Sequence, residues 1–203
     1  MNLRPRSLAL AAAVLFSLST SPQALAHGQS WTGTFLPEGS GGRTGSGSLL
    51  VEYDEHSNVL TITASFEGLS SDTRVAHIHC CSGPFPASAG VALAGTSNAF
   101  GANLLNFPSG VRAADYSQNF DMGLASVYSN AFRNNSGGTE NGARDALLAA
   151  FDNGFAYMNI HTDAFPGGEI RAQIAPIPEP STWLMMALGL AGVAAGARRK
   201  SAA

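Results

Sequence analysis

The strongest constraint on this chain is a period of two. Trp31-Thr32-Gly33-Thr34-Phe35-Leu36 alternates large apolar with small or polar residues. An extended strand sends successive side chains to opposite faces, so such a run buries one face and leaves the other wet. Similar runs follow at 48–53, 59–66, 74–80, 91–94, 116–120, 155–162 and 168–174, separated by turn-forming residues. The 23 glycines in 203 residues suit many turns rather than a helical bundle. Asp54 to Asn58 joins two runs as a hairpin loop. One stretch differs: Asn141 to Asp152 is rich in alanine and leucine, with Thr139 placed to cap it and Asn153-Gly154 to stop it. Ser126 to Phe132 reads as a second short helix. These signals predict a mainly β fold, an antiparallel β-sandwich or barrel-like domain with one or two short helices.

The two ends read as addresses flanking this domain. Met1 to Arg6 is basic, Leu8 to Leu18 is apolar, and Ala24-Leu25-Ala26 precedes His27. This describes a secretory signal peptide over residues 1–26, cut by signal peptidase between Ala26 and His27. The alternative is an uncleaved anchor. At the other end Pro178-Glu179-Pro180 precedes an apolar stretch, a membrane helix at about 182–197, and then Arg198-Arg199-Lys200. This tripartite tail over residues 176–203 resembles the PEP-CTERM sorting signal of Gram-negative bacteria. The resemblance implies transient anchoring in the inner membrane and recognition by an exosortase. Release to the cell surface or extracellular matrix would follow.

Residues 27–175 are left as one domain outside the cytoplasm. Six arginines and no lysine face fourteen carboxylates between residues 27 and 180, which argues against nucleic acid as a partner. No phosphate-binding loop, nucleophile elbow or zinc-protease helix occurs, and the acids are scattered singly. The sequence therefore shows no catalytic constellation, and the domain reads as non-enzymatic.

Three histidines are the candidate ligands. His77 and His79 flank Ile78, so both leave the same face of one strand. His161 lies near the end of another strand, and two neighbouring strands would bring all three together. Three imidazoles suit copper or zinc. The competing reading is structural, with these histidines bonding turns and neighbouring strands. No other motif calls for a cofactor. Cys80 and Cys81 are the only cysteines. Their options are a vicinal disulfide, a bond to another chain, free thiols or metal thiolates, and an oxidising compartment favours a disulfide. Glu169 and Arg171 share a face and can pair, or support the histidines from behind.

Ala76-His77-Ile78-His79, then Tyr157 to Thr162, then Phe165-Pro166-Gly167-Gly168-Glu169-Ile170-Arg171-Ala172-Gln173 resembles the CHRD domain, over about residues 28–175. The resemblance implies a β-rich, sandwich-like module and supplies no activity. Together with the two addresses it suggests a structural or binding module for an extracellular polysaccharide or protein. A metal-binding or redox protein built on His77, His79 and His161 is the alternative.

Overall fold

The computed structural model describes residues 28–83, 87–177 and 189–190. Its strands are β1 (Gly28–Pro37), β2 (Ser46–Asp54), β3 (Val59–Glu67), β4 (Thr73–Cys80), β5 (Val91–Leu93), β6 (Gly95–Asn98), β7 (Gly101–Leu104), β8 (Ala114–Asp121), β9 (Ala156–Thr162) and β10 (Ile170–Pro176). Helices α1 (Asn130–Asn135) and α2 (Glu140–Asp152) lie between β8 and β9. Eight strands make one curled antiparallel sheet in the order β5-β4-β9-β10-β1-β2-β3-β8, and β6 pairs with β7 in a separate hairpin. The first strand sits in the middle, joined to β10 on one side and β2 on the other.

Alternation decides which face of this sheet meets the core. Phe35, Ala172, Met158, Ile78 and Leu93 occupy successive strands in one cross-strand row, and all are fully buried. Shifting one residue along each strand gives Leu36, Arg171, Asn159 and His77, which belong to the opposite face. Helix α2 closes the core face with Ala143, Leu147, Ala150 and Phe151. Trp31 packs on Phe151 with ring centroids 5.1 Å apart, and its indole Nε1 donates to Asp152 at 2.9 Å. That bond satisfies the one polar atom of a buried indole.

The mainly β antiparallel fold is the one the alternation predicts. Thr139 Oγ1 caps α2 by accepting from the Gly142 amide at 3.1 Å. The expected helix at Ser126–Phe132 is instead a 3-10 turn at Ala125–Val127 followed by α1. Ser129 caps α1 through the Phe132 amide, so Ser129 cannot lie inside a continuous helix. Pro178, Glu179, Pro180, Ala26, His27 and most of the expected helix at 182–197 lie outside the described residues.

Candidate metal centre

β4 turns Ala76, Ile78 and Cys80 toward the core, so His77 and His79 must face the other way. The pairing of β4 with β9 sets His77 opposite Asn159, His79 opposite Tyr157 and Val75 opposite His161. His161 is therefore two residues beyond Asn159 on the same face, diagonal to His77. The ring centroids lie 4.7 Å apart for His77 and His79, 4.5 Å for His77 and His161, and 6.3 Å for His79 and His161. One nitrogen from each ring falls within 4.8 Å of the others.

This outer face is covered rather than solvated. His77 and His161 are buried and His79 is half-buried. Backbone carbonyls from two loops fix the rings. His79 Nδ1 meets the Ala89 carbonyl at 2.8 Å, and His161 Nδ1 meets the Pro166 carbonyl at 2.8 Å. A carbonyl only accepts, so both Nδ1 atoms carry the proton and both Nε2 atoms carry a lone pair. His79 Nε2 takes the proton offered by His77 Nδ1 at 2.9 Å. His161 Nε2 is buried and has no hydrogen-bond partner. His161, which donates Nδ1–H to a carbonyl and leaves Nε2 bare, is oriented as a metal ligand is.

The electrostatics also favour the ligand state. Burial, then the neighbouring His161 and His79, pushes the His77 pKa down to about 3. Burial lowers His79 and His161 as well, against the raising effect of their carbonyl bonds. The cluster therefore stays neutral where free imidazole would charge. The metal-free fold refuses protons that the unfolded chain accepts, so its stability is fully present above pH 6.5 and falls as pH drops toward 3. We expect the unfolding free energy from urea titrations in chelator to fall between pH 7 and pH 5, above the carboxylate range, by roughly 1–2 kcal/mol. Equal midpoints at both pH values would contradict a buried neutral cluster.

Arg171, Tyr157, Asn159 and Glu38 surround the histidines. Tyr157 stacks on His79 with centroids 4.7 Å apart and planes 6° apart, and the Arg171 guanidinium carbon lies 3.4 Å from the Tyr157 ring centroid. Arg171 donates to the Ala87 carbonyl at 2.8 Å and to Gln173 at 3.0 Å, and Glu38 lies 3.7 Å from its guanidinium. Asn159 Nδ2 donates to Glu38. Gly168 closes this corner with a φ of +118°, and a Cβ there would fall against the Glu38 carboxylate and the Asn159 amide. Gly168→Ala should destabilise the domain by about 2–4 kcal/mol, strain and overpacking together. A thermal melt within 2 °C of the unsubstituted chain would contradict that fit.

One sequence expectation is corrected in detail. Glu169 and Arg171 find different partners. The Glu169 carboxylate accepts from Thr162 Oγ1 at 2.6 Å, the Ser70 amide at 2.6 Å and the Thr44 amide at 3.3 Å, while Glu38 meets Arg171. A disulfide joins Cys80 to Cys81, with Cys80 in the core and Cys81 exposed, and neither sulfur joins the histidine cluster. Sequence reading missed Asn159, Tyr157 and Glu38. The first two share the face and strand of His161, a signal the same period of two carried.

The structure thus defines a curled antiparallel β domain with three histidines converging on its outer face. The chain belongs to the CHRD domain family, whose model matches residues 30–174. The PEP-CTERM protein-sorting motif matches residues 176–200. No curated protein and no solved structure matches the chain. The sorting motif marks an exported protein that an exosortase processes, destined for the cell surface or beyond.

Proposed function

We propose that this protein is a surface or matrix module whose CHRD domain captures one copper or zinc ion with His77, His79 and His161. The observation that carries the reading is the bare Nε2 of His161, buried beside the other two rings. A buried acceptor left without a partner costs about 1–3 kcal/mol, and a metal ion removes that penalty. Nitrogen donors alone select copper or zinc over magnesium or calcium. The domain binds rather than catalyses. Signal peptidase cuts after Ala26, the helix at about 182–197 holds the chain in the inner membrane of a Gram-negative cell, and an exosortase acts at Pro178-Glu179-Pro180.

Elemental mass spectrometry of the full chain, exported without a polyhistidine tag, tests this reading. We expect about one copper or zinc per chain, and a loss of thermal stability of about 5–10 °C when a chelator removes it. A folded chain without metal, unchanged by added copper or zinc, would end the proposal.

A second reading has its own observation. The solvated face of β3 and β8 carries paired hydroxyls and amides, with Thr61 donating to Asn119 at 2.9 Å and Thr63 against Ser117 at 3.2 Å. Such a face suits an extracellular polysaccharide. Co-sedimentation with matrix polysaccharide, abolished by Thr63→Lys, would support it, and no sedimentation would remove it.

A further inference from the structure

We propose that the captured ion keeps a fourth, exchangeable coordination position, and that Asn159 accepts a hydrogen bond from the O–H ligand bound there. This rests on the metal reading above.

Zinc completes four positions, and a site with three protein ligands leaves the fourth to water or substrate. Here the cluster supplies three nitrogens and no more. The nearby anions are engaged elsewhere: Glu169 with Thr162, Ser70 and Thr44, and Glu38 with Asn159 and Arg171. Both cysteine sulfurs are tied to each other. Among the described residues no fourth ligand is offered, so that position is left to an added molecule.

Asn159 states what kind of ligand. Its side chain is 2% exposed, and its Oδ1 has no hydrogen-bond partner. The orientation of the amide is settled by chemistry: a carboxylate accepts only, so the nitrogen faces Glu38 while the oxygen lies beside Gly168. The register puts Asn159 directly across from His77, and two residues before His161 on the same face. Cross-strand partners on one face have Cβ atoms about 4.5–5.5 Å apart, so the Asn159 side chain starts beside that of His77, on the face that carries His161. Two buried acceptors, His161 Nε2 and Asn159 Oδ1, then lack partners on the same face of β9. A metal ion answers the first. An O–H group on that ion, either water or a hydroxyl of a larger molecule, answers the second. His79 is half-buried, which leaves small ligands a way in.

The test is water-proton relaxation on the full chain loaded with copper(II), with His77→Ala/His79→Ala as background. We expect an enhancement equal to about one exchangeable inner-sphere water, lost on adding azide. Asn159→Leu should keep one copper per chain. It should bind azide about five- to tenfold more tightly, because the displaced water no longer gives up a hydrogen bond. One bound copper with no enhancement above background would overturn the inference and leave the three-histidine site standing. So would equal azide affinity in Asn159→Leu. No bound copper would overturn both readings. If Asn159→Leu fails to fold, the azide-sensitive enhancement of the unsubstituted chain decides alone.

Discussion

Replacing His77 and His79 together by alanine should reduce bound metal from about one ion per chain to background, well over a hundredfold in affinity. One remaining imidazole cannot chelate, and loss of even a supporting contact behind a ligand lowers affinity 10- to 100-fold. The fold should survive the change. Both side chains leave the sheet on the face away from Ile78, Met158 and Ala172, which are fully buried in the core. Removing buried polar rings also removes their desolvation. We therefore expect a stability change within about 2 kcal/mol. Elemental analysis beside a thermal melt checks both halves, and retained metal in a folded double variant would show that the ion sits elsewhere.

The second large effect is at Glu169. Its carboxylate is completely buried and accepts from the hydroxyl of Thr162 and from the amides of Ser70 and Thr44. It thereby ties β9 to the loop before β4 and to the loop between β1 and β2. Glu169→Ala leaves those donors without an acceptor, each at about 1–3 kcal/mol. We expect a total loss of about 3–5 kcal/mol in urea denaturation. Burial raises the Glu169 pKa, but the bonds from Thr162, Ser70 and Thr44 outweigh it and hold the carboxyl below its ordinary value. The sign follows: this contribution is present above about pH 4.5 and is lost as pH falls further. Glu169→Ala should therefore flatten the acid limb of the stability curve below pH 4.5. A loss under 1 kcal/mol would contradict the assigned role.

Much of this was legible because strand geometry is local. The period of two put His77 and His79 on one face, and it made Tyr157 to Thr162 a strand able to receive them. Helix α2 announced itself through Thr139, its alanines and Gly154. What the sequence concealed was non-local. The carbonyls of Ala89 and Pro166 fix the histidine rings from loops whose positions no local pattern encodes. Glu38 reaches Asn159 and Arg171 across more than a hundred residues of sequence, so the expected pairing of Glu169 with Arg171 could not anticipate it. The hairpin of β6 and β7 was hidden too. Gly95-Thr96-Ser97-Asn98 and Gly101-Ala102-Asn103-Leu104 lack alternation, and their strands are held by backbone pairing rather than by an apolar face.

X-ray absorption at the metal edge of the loaded full chain reads the ligand shell itself. We expect three imidazole nitrogens at about 2.0–2.1 Å, no sulfur at about 2.3 Å, and one additional light atom. A sulfur shell, or fewer than two imidazoles, would contradict it.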